Sequence, residues 1–234
     1  MSSHFGLFDL AGYAKDSAGF YAAVWGQERN GCTGISIGNS DWSAPVAEGS
    51  LIDVAAYTCS PSAELLLNGV SLGVVPTVGG GAAVWRVAFS RGNLTALARD
   101  ASGAALGSAT LLSAGPPARL RLWVEDSYRS RNGTVIAADG ADVALLGVAV
   151  EDANGLLCPR GALNISFSIV GPAAMYGVSI GDPADHSPVK MTPWRLSFHG
   201  LARAIISSTG SVGDIFITAS ALGVNDSTAH LVAA

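Results

Sequence analysis

Charged side chains are scarce in this sequence. Only 13% of its 234 residues are Asp, Glu, Lys or Arg, against roughly a quarter in typical soluble domains. The 13 basic and 18 acidic residues give a net charge of −5. Because the basic residues are scattered, the chain has no basic patch of the kind that binds nucleic acid. The low charge fits either an alanine- and glycine-rich composition or a surface partly covered by further protein.

Cysteines and long apolar runs are also few. Cys32, Cys59 and Cys158 stand far apart, without the spacing typical of a zinc site. A Cys32–Cys59 disulfide is one interpretation, but the odd number of cysteines favours unpaired buried thiols. No run of about 18 apolar residues predicts a transmembrane helix. The N-terminus has no basic region followed by an apolar run, so no signal peptide is predicted, and the compartment stays open.

Helical patterning is confined to the start of the chain. Residues 4–10 (HFGLFDL) predict a short buried strand, and Asp16 predicts a helix start because its carboxylate can accept free N–H groups of the first turn. Four large apolar residues then follow at helical spacing: Phe20, Tyr21, Val24 and Trp25. In a chain that lacks the rest of the α/β unit, this surface is expected either to pack on the β-sandwich predicted to follow or to remain an apolar patch that promotes association. The stretch is typical of the last strand and helix of an α/β unit.

The rest of the chain predicts strands. Residues 26–49 are interpreted as a connector, and from Leu51 short apolar runs alternate with turn signals to about residue 112. Asn68-Gly69 predicts a type I′ hairpin, and Gly115-Pro116-Pro117 predicts a domain boundary. The second half repeats the pattern, and its turn EDANG (151–155) echoes RDASG (99–103).

These patterns predict a mainly β fold with three parts. Residues 1–30 form a short βα unit, 31–115 a first immunoglobulin-like β-sandwich, and 116–234 a second sandwich of the same class. The spacing of the short strands and the absence of further helical patterns support this division.

Three GxSxG strings suggest a serine nucleophile only superficially. They lie at Gly34–Gly38, Gly69–Gly73 and Gly177–Gly181. A nucleophile elbow requires a strand, a sharp turn and then a helix, and none of the three strings is followed by a helical pattern. Chance matches are expected in a chain this rich in glycine and serine. An esterase using Ser71 would need a helix after residue 73.

Other candidate groups also favour structural roles. The loop GDPADHSPVK (181–190) contains Asp182, Asp185 and His186, which could hold a cation, but aspartates also cap turns.

Three other histidines lie in or beside apolar runs and are interpreted as structural: His4, His199 and His230. Five glutamates occur, and no motif pairs any two across a glycosidic bond: Glu28, Glu48, Glu64, Glu125 and Glu151. Four tryptophans could stack on sugars or fill cores: Trp42, Trp85, Trp123 and Trp194.

Several stretches occur in an order that identifies a family. They are FGLFDLAGYAKDSAGFYAAVW (5–25), Asp41-Trp42, ELLLNGVSLG (64–73), LTALARDASGAALGSATLLSAGPPARLRL (94–122) and DVALLGVAVEDANG (142–155). This order resembles glycoside hydrolase family 2 enzymes of the β-galactosidase type, over essentially the whole chain. The first stretch resembles the eighth strand and helix of their catalytic (β/α) barrel, and the others resemble the accessory sandwiches that follow.

The resemblance implies a function outside this chain's own residues. In the family, the acid/base glutamate follows an asparagine. Both this glutamate and the nucleophile glutamate precede the stretch that corresponds to residues 5–25 here. No Asn-Glu pair occurs in this sequence. The implied role is a C-terminal accessory region of a glycosidase, inactive alone, with no catalytic, metal or cofactor residue and with substrate-binding residues unknown. Its expected partners are the barrel and, through the parent enzyme, carbohydrate, with no nucleic acid or membrane; an oligomer stays open. Met1 would begin either a truncated gene product or a diverged remnant. The alternative is a stand-alone carbohydrate-binding or adhesion module, which would align two or more tryptophans on a solvent-facing surface.

Overall fold

The computed structural model describes residues 6–25, 32–38, 41–43, 46–77, 81–127 and 133–234. One helix and many strands make up this part of the chain, so the prediction of a mainly β fold of sandwiches is confirmed. The chain divides into two units, Met1–Phe8 with Ala14–Ser113, and Asp9–Tyr13 with Ala114–Ala234. The predicted boundaries after residues 30 and 115 stay a prediction. The described helix is too short to cross a membrane.

The first unit is a sandwich of two antiparallel sheets with one helix. Its sheets have the strand orders β1-β2-β5 and β4-β3-β6-β7. The elements are α1 (Asp16–Trp25), β1 (Ile35–Ile37), β2 (Leu51–Thr58), β3 (Ser62–Leu67), β4 (Val70–Pro76), β5 (Ala82–Ala88), β6 (Asn93–Arg99) and β7 (Ala105–Leu112). Alternate residues of each inner strand point into the core, including Val54, Leu65, Trp85 and Leu94.

The predicted hairpin is confirmed. Asn68 and Gly69 connect β3 to β4, and both have positive φ, 52° and 81°. Two positive values are what a type I′ turn requires, and its twist matches that of the strands it joins. The Asn68 side chain also accepts the Asn93 N–H at 2.8 Å, which ties the turn to β6.

Helix α1 packs on the outer surface of the three-stranded sheet. Phe20 and Tyr57 meet edge to face, with ring centroids 5.2 Å apart. Gly19 lies so close to β1 that an added Cβ would stand 2.9 Å from the Ser36 Oγ. Among the four side chains of the predicted aromatic surface, Trp25 alone is exposed, at 72%, and the other three are half-buried. The sandwich therefore covers most of that surface, as the first of the two alternatives expected.

The strand predicted over residues 4–10 is wrong for the described residues 6–10. Phe8 makes one isolated antiparallel bridge to Ala14, and Phe8 and Leu10 are exposed. A buried strand requires hydrogen-bonded neighbours on a sheet, and none of the described strands pairs with this segment in a sheet.

The interpretation of residues 26–49 as a connector and of all cysteines as unpaired is also wrong. The stretch contains β1, which pairs with β2 from Ile35 opposite Thr58. This pairing brings Cys32 to Cys59, and the two form a disulfide with Cα atoms 5.1 Å apart. Cys158 belongs to the other unit and is a buried free thiol. The odd number of cysteines was misleading because disulfide partners have to be counted within each folding unit. The first unit contains two cysteines and the second unit contains one.

The second unit is a larger sandwich with sheet orders β12-β14-β10-β8 and β13-β11-β15-β16-β9. Its strands are β8 (Arg119–Ser127), β9 (Val135–Ile136), β10 (Val143–Glu151), β11 (Asn164–Val170), β12 (Ala173–Ser179), β13 (Trp194–Leu196), β14 (Leu201–Ser208), β15 (Gly213–Ser220) and β16 (Ser227–Ala233). Fully buried aliphatic side chains from both sheets fill its core, among them Leu146, Ile165, Ile206 and Ile217.

Candidate functional site

The three GxSxG serines all lie in strands. Ser36 is in β1, Ser71 in β4 and Ser179 in β12. The Ser71 hydroxyl donates to the Glu64 carboxylate at 2.6 Å. Because β4 continues to Pro76, no helix follows Ser71, and the esterase interpretation is excluded.

The loop 181–190 is a self-bonded turn. Asp182 accepts the Ala184 N–H at 2.8 Å, and Asp185 accepts the Ser187 N–H at 2.8 Å. The buried Arg195 guanidinium binds Asp185 at 3.1 Å and two carbonyls of the loop. Hydrogen bonds from Ser187, with the nearby Arg195, lower the pKa of Asp185. Within the described ranges no three His, Cys, Asp or Glu side chains are grouped to hold a metal ion.

The described glutamates are each engaged with a partner. Glu48 accepts the Ser90 hydroxyl at 2.6 Å, and the other three form ion pairs: Glu64 with Arg99, Glu125 with Arg203, and Glu151 with Arg119 and Arg121. Glu28 lies outside the described residues. Each of the four described glutamate carboxylates therefore has a partner within the chain.

The histidines occupy surface and turn positions. His230 on β16 pairs with Asp214 at 2.7 Å and stacks on Phe216. His199 has a positive φ of 50° in the turn before β14 and contacts the Phe198 ring. His4 lies outside the described residues.

The tryptophans do not line up on a common surface. Trp42 and Trp85 are 2% and 5% exposed in the core of the first unit. In the second unit Trp123 lies on β8 of one sheet and Trp194 on β13 of the other. Of these four, Trp194 alone is exposed, at 51%.

A cluster of polar side chains in the second unit surrounds Arg203 on β14. Across the sheet Arg203 lies opposite Gly147 of β10, which lies opposite Trp123 of β8. Gly147 leaves room on this surface: an added Cβ would collide with the Trp123 ring and stand 2.7 Å from the Glu125 Oε1. The absence of a side chain at position 147 therefore lets Glu125 reach Arg203 across the sheet.

Arg203 holds the segment Asp9–Tyr13 on this sheet. One guanidinium nitrogen, Nη1, donates to the Ala11 carbonyl, and Nη2 binds the Glu125 carboxylate, 2.7 Å from its Oε2. The guanidinium carbon lies 4.4 Å from the centroid of the Tyr13 ring, a cation–π arrangement. The Tyr13 hydroxyl donates to the Ala202 carbonyl at 2.8 Å. Arg203, Glu125 and Tyr13 are called the Arg203 cluster below.

Burial governs the electrostatics of the Arg203 cluster. The side chains of Arg203 and Glu125 are 17% and 20% exposed. Burial, followed by the charge of Glu125, raises the pKa of Tyr13 to about 12. The phenol therefore stays protonated at neutral pH and serves as a hydrogen-bond donor. The cluster binds and orients backbone, and its groups have no arrangement for proton transfer to a substrate.

Sequence reasoning missed this cluster. Arg203 and Glu125 are 78 residues apart, and Arg203 and Ala11 are 192 apart. The available signal was an arginine amid the apolar residues of LARAII (201–206), a position that needs a partner when half-buried. Nothing in the sequence named that partner.

Comparison with known proteins gives a family-model match in each unit. Residues 130–230 match "Glycoside hydrolase family 2 C-terminal domain 5" and residues 49–107 match "Domain of unknown function (DUF4982)". The β-galactosidase BoGH2A of Bacteroides ovatus is 30% identical over 225 residues, which is 95% of this chain and 25% of that protein. A putative β-glucuronidase of Formosa agariphila is 25% identical over 210 residues, 86% of this chain and 19% of that protein.

Solved structures agree with the sequence matches. A β-glycosidase from Bacteroides vulgatus is 25% identical with a TM-score of 0.84, over 97% of this chain and 28% of that one. A family 2 glycosyl hydrolase from Bacteroides cellulosilyticus shares the fold, with 24% identity and a TM-score of 0.86, over 97% of this chain and 32% of that one. The chain thus spans a quarter or less of the curated relatives it matches. Over nearly its whole length the chain is thus similar to a part of glycoside hydrolase family 2 enzymes, and its second unit matches a C-terminal domain of that family.

Proposed function

We propose that this chain works as the C-terminal accessory region of a β-galactosidase-like glycosidase. The parent enzyme would hydrolyse terminal β-glycosidic bonds with retention, using two barrel glutamates and none from this chain. The observation that carries the proposal is the match to BoGH2A over 95% of the chain, which includes both sandwiches and the N-terminal segment. We favour a β-galactoside over a β-glucuronide because the β-galactosidase matches with higher identity and coverage.

The chemistry of the described residues supports an accessory role. The described glutamates are engaged in hydrogen bonds or ion pairs, and the Arg203 cluster binds the chain's own backbone. Groups held in this way stabilise the sandwiches themselves. We therefore expect no turnover from this chain alone.

A stand-alone carbohydrate-binding module is the weaker alternative. That function predicts two or more tryptophans aligned on a solvent-facing surface, because sugar rings stack on exposed aromatic rings. Trp42 and Trp85 are core residues, and Trp123 and Trp194 belong to different sheets. No observation on the described tryptophans favours this alternative.

The experiment that tests the proposal is a chimera. This chain replaces the matching quarter of the Bacteroides ovatus β-galactosidase, and hydrolysis of a p-nitrophenyl β-galactoside and β-glucuronide is measured. The proposal predicts β-galactoside turnover by the chimera and none by this chain alone. A folded chimera without turnover, or turnover by the isolated chain, would contradict it.

A further inference from the structure

We propose that Asn93, Asn164 and Asn225 are acceptors for N-linked glycans, and that the chain matures in an oxidising secretory compartment. Each of these asparagines begins an Asn-x-Ser/Thr sequence, the acceptor sequence for N-linked glycosylation. The inference is independent of the proposed function, because it concerns how the chain is processed and not what the parent enzyme cleaves.

The disulfide gives the first step, because acceptor sequences are used only in proteins that leave the cytosol. Cys32 and Cys59 are bonded in the first unit, with Cα atoms 5.1 Å apart. Disulfides persist in secreted proteins, in the endoplasmic reticulum and in the bacterial periplasm, and they are rare in the reducing cytosol. The sequence alone leaves the compartment open, and the disulfide indicates an oxidising one.

The number of acceptor sequences gives the second step. Four of the eight asparagines in the chain are followed two positions later by Ser or Thr: Asn93, Asn132, Asn164 and Asn225. Ser and Thr account for 36 of the 234 residues, so chance would place one of them there for about one of the eight asparagines. The chain therefore has more acceptor sequences than its composition explains.

The structure gives the third step, because a glycan needs an exposed attachment atom. Asn93, Asn164 and Asn225 are all exposed, whereas Asn132 lies outside the described residues. Asn93 begins β6, Asn164 begins β11, and Asn225 lies two residues before β16. A glycan at the end of a strand extends into solvent, so neither core has to rearrange to admit it.

Local hydrogen bonds do not depend on the amide nitrogens of Asn93 and Asn225. The Thr95 hydroxyl donates to the Asn93 Oδ1 at 2.8 Å, so this bond uses the amide oxygen and not Nδ2. Asn225 bonds through its main chain, donating to the Ala118 carbonyl at 3.0 Å and accepting the Leu120 N–H at 2.8 Å. A glycan on Nδ2 therefore leaves these hydrogen bonds in place.

The proposed step is a group transfer from an oligosaccharide carried on a lipid pyrophosphate. A bond forms between the asparagine Nδ2 and the anomeric carbon of the first sugar, and the bond from that carbon to the pyrophosphate oxygen breaks. The lipid pyrophosphate leaves with the electron pair, and Nδ2 gives up one proton. A transferase of the compartment catalyses the step, and this chain supplies the acceptor. The attached sugars add polar surface to a chain that has few charged residues.

The first test measures which asparagines are modified. The chain is secreted from cultured eukaryotic cells behind a secretory leader, and its intact mass is compared with the masses of Asn93→Gln, Asn164→Gln and Asn225→Gln. We expect each variant to lose one glycan. Thr95→Ala, which keeps Asn93, should lose the same glycan as N93Q. Asn154→Gln removes an exposed asparagine outside any acceptor sequence and should lose none. A secreted chain with the mass of the bare polypeptide, or equal losses in N93Q and N154Q, would overturn the acceptor assignment.

The second test uses the protein from its native cells. An amidase that releases N-linked glycans is added, and the change in mass is measured together with the number of free thiols after unfolding. We expect a fall in mass and one free thiol per chain, that of Cys158. A formed disulfide without a fall in mass would overturn the glycosylation and leave the oxidising compartment standing. Free thiols at all three cysteines would overturn the compartment, and the inference with it.

Discussion

Replacing Asp152 with alanine should lower the free energy of unfolding of the second unit by about 3 kcal/mol. The Asp152 side chain, 1% exposed, accepts three backbone N–H groups, from Gly115 and Asn154 at 2.8 Å and from Leu156 at 2.9 Å. Asn154 is exposed and can bind water once the carboxylate is gone. The N–H groups of Gly115 and Leu156 are half-buried, and each would lose a charged acceptor worth about 1.5 kcal/mol.

The first unit supplies a matched control in the related turn RDASG. Asp100 accepts the N–H groups of Ser102 and Ala104 at 2.8 and 2.9 Å, and both donors belong to exposed residues. Water can replace the carboxylate there, so Asp100→Ala should destabilise its unit much less than Asp152→Ala. Urea unfolding followed by circular dichroism measures both, and D152A should also lower the melting temperature by roughly 10 °C. Equal losses in the two variants would refute the argument from burial.

The Asp152 contribution should also depend on pH. The Gly115 N–H, followed by the other backbone donors, lowers the pKa of Asp152. Its stabilisation is therefore complete above the unfolded pKa of about 3.9 and is lost as the pH falls through the lower folded value. The difference in unfolding free energy between the native chain and D152A should shrink below about pH 4. A constant difference from pH 7 to pH 2 would contradict this sign.

Three further predictions concern the disulfide, the core and the Arg203 cluster. Cys59→Ser opens a disulfide of sequence separation 27 and should cost the first unit about 3 kcal/mol, whereas unchanged unfolding in urea would contradict this. Leu146→Ala removes a fully buried side chain and should cost about 3 kcal/mol; a loss below about 1 kcal/mol would show that the core closes over the cavity. The raised pKa of Tyr13, about 12, means that its stabilisation is present below pH 10 and lost as the pH rises towards 12. Between pH 9 and pH 11, the free energy of unfolding of the native chain should therefore fall by about 1 kcal/mol more than that of Tyr13→Phe. Equal falls in the two proteins would contradict a buried phenol.

Local patterns predicted most of the strands. The predicted series of short strands from Leu51 to about residue 112 contains β2 to β7, because short apolar runs between turn residues are typical of strands. Asn68-Gly69 fixed the first hairpin because few residue pairs tolerate positive φ at both positions. The two-residue strand β9 and the three-residue strands β1 and β13 escaped prediction because they are too short to show a period.

The errors arose where structure depends on distant pairing. Missing β1 also left the Cys32–Cys59 disulfide as the less favoured interpretation, since the β1–β2 register brings the two cysteines together. The Arg203 cluster joins a β14 arginine to a β8 glutamate and to a turn near residue 11. Hydrophobic periodicity reports which surface a residue occupies, not which partner meets it there. The resemblance gave the family and the order of the domains but did not name these contacts.

The most direct test of the accessory role compares three forms of the Bacteroides ovatus β-galactosidase. The forms are the intact enzyme, the enzyme cut by removal of the quarter that matches this chain, and the cut enzyme carrying this chain in its place. Turnover of a β-galactoside by equal amounts of folded protein is the readout. We predict that the form carrying this chain regains activity well above that of the cut enzyme. Activity no higher than that of the cut enzyme would contradict the accessory role.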